Sequence, residues 1–168
     1  MKNNKGFTLI ELLVVVAIIG LLAAVVLGAL SSARNKGDDA AIKSNLKTIQ
    51  TQAALYYDNN ANSYGIYNVG WCSVVQTTNM YGDPVVLTAL RALIKLSGVN
   101  PTDASRSRCF SSASAFAVAI QLKTGDTANI DTKPDAWCVD SAGNSKSYTY
   151  TTGQNLGNVL NASTFLCN

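Results

Sequence analysis

An apolar run from Phe7 to Leu30 contains a single ionisable side chain, Glu11. The run holds more than the roughly 20 residues a membrane-spanning helix needs. A carboxylate near the middle of such a helix costs roughly 2.5–3.5 kcal/mol on insertion scales, so its position calls for a functional reason and a partner. Three ordinary readings compete for the run. A cleaved signal peptide would have an apolar core of about 7–15 residues followed by a small-residue cut site, shorter than this. A buried core helix is rarely this long and apolar on every side. A plain signal anchor accounts for the length but leaves Gly6-Phe7-Thr8 and Glu11 unexplained.

Composition narrows the function classes. Beyond the run the chain turns polar and rich in Ser, Thr, Asn and Ala. The formal net charge is +3, and falls to +1 if Met1 to Gly6, with Lys2 and Lys5, are removed. Near neutrality argues against a dedicated nucleic-acid binder. The chain has no histidine, which removes the commonest general base and metal ligand and excludes a serine–histidine hydrolase. No cofactor or metal is implied. Lysines 2 and 5 flank one end of the run and Arg34 and Lys36 the other, so basic residues give little guide to orientation.

The residues Lys5-Gly6-Phe7-Thr8-Leu9-Ile10-Glu11 closely resemble the processing site of the type IV pilin and pseudopilin family. The resemblance covers the first part of the chain. It implies cleavage by prepilin peptidase between Gly6 and Phe7, with methylation of the new amino terminus on Phe7. It also implies that Glu11 meets the N-terminal amine of a neighbouring subunit during assembly. The leader, residues 1–6, then faces the cytoplasm. Residues 7–30 form the membrane and filament-core half of a long helix, 31–58 its amphipathic half, and 59–168 a globular head. The implied partners are further copies in a helical homopolymer, prepilin peptidase, an inner-membrane assembly platform, and the membrane itself before assembly. The implied location is the cytoplasmic membrane, then an extracellular filament or a periplasmic pseudopilus. Two alternatives share these residues: a pseudopilin of a type II secretion system, and a membrane-anchored minor pilin acting as an adhesin or DNA receptor. No enzyme is implied.

The implied fold class is α+β, a lollipop with a long N-terminal helix packed on a small antiparallel sheet. Apolar residues Ile42, Leu46, Ile49, Ala53 and Tyr56 follow one helical face, with Lys43, Lys47 and Gln50 largely off it. A helix from Phe7 to about Tyr57 would be roughly 75 Å long. Gly20 and Gly28 are its expected soft points, each about 1 kcal/mol less favourable than alanine. The family often places proline where this chain has Gly28. A second helix is predicted at about 84–97, with Asp83 as N-cap, Pro84 at the first position and Gly98 past the end. Residues 116–123 alternate as a strand whose large side chains should cover the long helix, and 137–151 read as a hairpin. The tail from Asn158 is an edge strand or a tied loop.

Four cysteines, Cys72, Cys109, Cys138 and Cys167, read as two disulfides in an oxidising compartment. Nearness in sequence favours Cys72 with Cys109 and Cys138 with Cys167, and the second bridge resembles the C-terminal disulfide common in pilins. Asp126, Asp131, Asp135 and Asp140 lack EF-hand spacing and are expected to be solvated loop residues. Arg106 and Arg108 beside Phe110 are too few to claim phosphate or nucleic-acid recognition. Asn161-Ala162-Ser163 matches a glycosylation acceptor pattern that also arises by chance.

Overall fold

A computed structural model describes residues 6–67, 70–72, 78–98, 106–125, 135–151, 154–161 and 163–168. The chain divides into two compact units, Met1–Asn35 and Lys36–Asn168. Helix α1, Leu9–Asn59, contributes to both. It starts two residues later than expected and ends two residues later.

Among the described residues of the first unit, the large apolar side chains of α1 and of Phe7 just before it are between 46% and 84% exposed. This part of the helix is long and apolar enough to cross a membrane.

The second unit is α+β. Its core begins on α1, where Ile42, Leu46, Ile49 and Ala53 are all fully buried. This is the face the periodicity implied, with one correction: Gln50 is buried too. Its Nε2 donates to the carbonyls of Asp140 and Asn144, both at 2.9 Å, while Lys47 Nζ donates to its Oε1. A residue one step from the apolar stripe can be buried when it satisfies backbone carbonyls that packing has removed from water. Lys43 also leans inward, its ammonium 4.6 Å from the centre of the Trp137 ring.

Helix α2, Pro84–Ser97, is capped as its sequence implied. Asp83 Oδ1 accepts from the backbone N–H groups of Val85 and Val86, and Gly98 takes the left-handed conformation at φ 68° that closes the helix. Gln52 of α1 donates to the other oxygen of Asp83, joining the two helices.

Four antiparallel strands pair in chain order: β1 Ser107–Ser111, β2 Phe116–Gln121, β3 Ala136–Asp140 and β4 Ser145–Tyr148. Strand β1 was not anticipated. Arg108 interrupts its apolar pattern, and pairing with β2 rather than propensity makes it a strand. Both faces of β2 are buried. Phe116, Val118 and Ile120 join the core with α1 and α2. Ala117 and Ala119 lie in a second cluster with Tyr150, Leu156, Val159 and Leu160. The alanines leave room for the C-terminal segment to lie close against the sheet. That segment forms its own two-stranded sheet, β5 Leu160–Asn161 with β6 Leu166–Cys167, instead of adding an edge strand to the larger one.

Candidate functional site

The N-terminal segment concentrates the candidate residues, and its local structure follows from Thr8. The first N–H groups of any helix lack intrahelical acceptors. Here Thr8 stands at the N-cap of α1 and Glu11 three residues on. The Thr8 backbone N–H and hydroxyl both donate to Glu11 Oε2 at 2.8 Å, and Thr8 Oγ1 accepts from the Glu11 N–H at 3.3 Å. This is a reciprocal capping box. Thr8 was not among the expected site residues, although the spacing Thr-x-x-Glu is the local signal of that motif. In the lone subunit the carboxylate is not idle: it closes its own helix, with both donors on one of its two oxygens. Gly6 and Phe7 precede the helix in open backbone and are exposed. Lys2 and Lys5 lie outside the described residues.

Gly20 and Gly28 both lie inside α1, and apart from the adjacent helix backbone nothing stands within 4 Å of where a Cβ would sit. Nothing within the subunit requires glycine at either place.

In the head, the aspartates differ from expectation. Asp135 and Asp140 are not solvated: they are 1% and 0% exposed. Asp126 and Asp131 lie outside the described residues. The Asp140 carboxylate accepts from the N–H groups of Ala142 and Asn144, from Asn144 Nδ2, and from the Cys167 N–H. It thereby fixes the β3–β4 turn and draws β6 onto β3. Asp135 accepts from the Tyr150 N–H. A third buried carboxylate, Asp39 of α1, went unread in the sequence. It accepts from the N–H groups of Lys123 and Thr124 and from the Thr124 hydroxyl, anchoring α1 to the turn after β2. A short carboxylate near the start of an amphipathic stretch gave no pattern from which that partner, more than eighty residues away, could be found. Among the described residues no cluster of acidic or sulfur ligands fit for a metal is formed. These carboxylates are already occupied by N–H donors, the arrangement that makes a buried charge tolerable.

Disulfides join Cys72 to Cys109 and Cys138 to Cys167. The first lies in the core shared with α1 and α2, the second in the cluster on the opposite face of the sheet. Arg106 is exposed, and its Nε donates to Gln121 Oε1 at 2.8 Å. Asn161 uses its side-chain oxygen to accept from the N–H groups of Ser163 and Thr164, while Ala162 lies outside the described residues.

Comparison with known proteins bears on the same segment. Residues 1–27 match the family described as the prokaryotic N-terminal methylation motif. The chain is 45% identical over 62 residues to the type IV wide pilus major component PilA4 of Thermus thermophilus, covering 36% of this chain and 47% of that protein. It is 31% identical over 113 residues to the type IV major pilin protein PilA of Myxococcus xanthus, covering 67% of this chain and 50% of that protein. The chain thus spans about half the length of the curated relatives it matches. No solved structure matches it.

Proposed function

We infer that this chain, which carries the N-terminal methylation motif and is similar to type IV major pilins, is a structural subunit of a type IV pilus-like filament. The observation that carries this reading is the uncovered half of α1: a continuous apolar surface interrupted by one carboxylate. Each large aliphatic side chain is about 1.5–3 kcal/mol better off out of water. Such a surface must be covered, first by lipid and then by other copies. Both relatives are named as major pilus subunits, which favours a filament over a solitary anchor. The work is structural rather than enzymatic.

In this reading residues 1–6 are the leader, 7–30 the membrane and filament-core helix, 31–58 its amphipathic continuation, and 59–168 the head. Prepilin peptidase cuts between Gly6 and Phe7 and methylates Phe7, and an inner-membrane platform lifts the subunit from the bilayer. Lipid tails are as apolar as leucine, so passage from membrane to filament gains little hydrophobic energy. Packing and charge pairing decide the arrangement instead. Thr8 keeps its N–H and hydroxyl after cleavage, so the capping box survives. The carboxylate retains a second oxygen for a neighbour's cationic amine. In a low-dielectric filament interior an unpaired charge is strongly unfavourable and a paired one tolerable, which selects one axial register.

The test is to shear surface filaments and sequence the main component from its N-terminus. It should begin with N-methylated Phe7. A band beginning at Met1, or near Ser31 to Asn35, would overturn the processing step, and absence of the chain from filaments would overturn the assignment.

A further inference from the structure

The four cysteines pair in chain order, first with second and third with fourth. Of the 3 connectivities four cysteines allow, this is the one with neither nested nor crossed loops. All four residues are buried, with exposures of 1% at Cys72, 0% at Cys109, 1% at Cys138 and 7% at Cys167. An oxidant cannot reach such sulfurs once the head has folded, so the bridges must close beforehand or as folding proceeds. The bridges also lie on opposite faces of the sheet, in separate clusters, so neither needs the other in place to find its partner.

Resting on the reading that the head is exported across the membrane behind α1, we propose that this chain is a substrate of a dithiol oxidase, that Cys72–Cys109 closes before Cys138–Cys167, and that no disulfide isomerase is needed. In each step a substrate thiolate attacks the oxidase's disulfide. The resulting mixed disulfide is resolved by the second substrate thiolate, and the two protons of the substrate thiols pass to the oxidase's sulfurs. The oxidase leaves as its dithiol, having taken up the two electrons. The order follows from timing. Cys138 lies 29 residues after Cys109. At about 5–20 residues per second, a head exported as it is made presents Cys138 about 1–6 s after Cys109. Disulfide formation takes seconds to hours, depending on the oxidant. Where closure is slower than that interval, all four thiols emerge before any pair has closed, and the wrong pairings compete. A catalyst acting within that interval closes the first pair while it has no rival. Cys167 then emerges to find Cys138 alone.

The experiment uses the full-length chain expressed in a Gram-negative host, pulse-labelled, trapped by alkylation at successive times and mapped without reduction. Single-disulfide chains should carry Cys72–Cys109. Loss of the host's periplasmic dithiol oxidase should abolish the oxidised head, and loss of its disulfide isomerase should leave the yield unchanged. A Cys138→Ser/Cys167→Ser chain should still form the first bridge, which guards against a fault in folding alone. Early chains carrying only Cys138–Cys167, mixed pairs such as Cys109 with Cys138, or dependence on the isomerase would each overturn the proposal. Oxidation is read on chains in the cell, whether or not filaments form, so a failure here is distinct from a failure of the filament reading.

Discussion

Glu11 carries two roles that a single substitution can separate. The side chain accepts two hydrogen bonds from Thr8, and in the filament reading it also meets a cationic amine. Glu11→Gln keeps an acceptor for Thr8 and removes the charge. Its subunit should reach the membrane at wild-type level yet fail to enter filaments. Thr8→Val keeps the charge and removes the hydroxyl, costing the helix start about 0.5–2 kcal/mol, and should slow assembly without stopping it. Counting sheared filaments against membrane-held subunit for both variants checks the separation; equal assembly of Glu11→Gln and wild type would remove the register role. Asp140 poses a different residue-scale question. Asparagine there offers one acceptor oxygen and places an NH2 against N–H donors. At about 1–3 kcal/mol for each buried donor left unpaired, Asp140→Asn should lower the unfolding free energy of the head by at least about 2 kcal/mol in urea titration. Tyr81 sets an alkaline limit. It is buried, its hydroxyl donates to the Phe110 carbonyl at 2.8 Å, and burial raises its pKa well above 10.0, with Tyr67 adding to the shift. The folded state therefore holds the neutral phenol. This contribution is complete below the unfolded value near 10 and is lost as pH rises from there toward the folded value. Head stability should fall above about pH 10, and less steeply in Tyr81→Phe, as read by circular dichroism across an alkaline series.

Among the elements, α1 is where local preference and function pull apart. Gly20 and Gly28 each weaken the helix by about 1 kcal/mol relative to alanine, and nothing in the subunit stands where a Cβ would go. Gly28→Ala should therefore leave the isolated subunit folded and slightly more helical. If softening is used in assembly, the same change should slow hydrogen exchange between Ile18 and Leu30 in filaments and reduce their yield. Uniformly slow exchange in wild-type filaments would sink the softening idea. The helices were legible because their signals are local: Asp83, Pro84 and Gly98 punctuate α2, and the spacing of Ile42, Leu46 and Ile49 marks the buried face of α1. Strand β2 was legible by its alternation, although that alternation distinguished large from small side chains rather than inside from outside, since Ala117 and Ala119 are buried as well. What escaped reading is what distant partners decide. Strand β1 exists because β2 pairs with it, and Gln50, Asp39 and Asp140 are buried because backbone groups far away in sequence need them. The N-terminal methylation motif that residues 1–27 match was legible because its signal is contiguous in sequence. The Thr8–Glu11 capping box is equally local, a Thr-x-x-Glu spacing at the start of the apolar run.

At the scale of the whole head, the two disulfides invite a comparison that loop entropy alone cannot decide. Their loops are alike, with separations of 37 and 29 residues, so the chain-entropy account assigns each about 3.5–4 kcal/mol. What each holds differs. Cys72–Cys109 ties the segment after α1 to β1 within the cluster containing Ile42, Leu46, Ile49, Leu90 and Phe116. Cys138–Cys167 ties β6 to β3 within the smaller cluster that covers Ala117 and Ala119. The Cys138→Ser/Cys167→Ser head should therefore lose protection chiefly in Leu156–Cys167 while amides of α2 and of Ile42–Ala53 stay slow to exchange. The Cys72→Ser/Cys109→Ser head should loosen the α1 side. Hydrogen exchange resolved by peptide distinguishes this from a simple loss of global stability, in which both variants would raise exchange everywhere by the same factor. Removing both bridges takes away about 7–8 kcal/mol on the same account, comparable to the 5–15 kcal/mol that holds an ordinary domain together. The fully reduced head should then be unfolded or nearly so. A filament subunit that leaves the membrane for open solvent would depend on both bridges, since each secures one face of the four-stranded sheet.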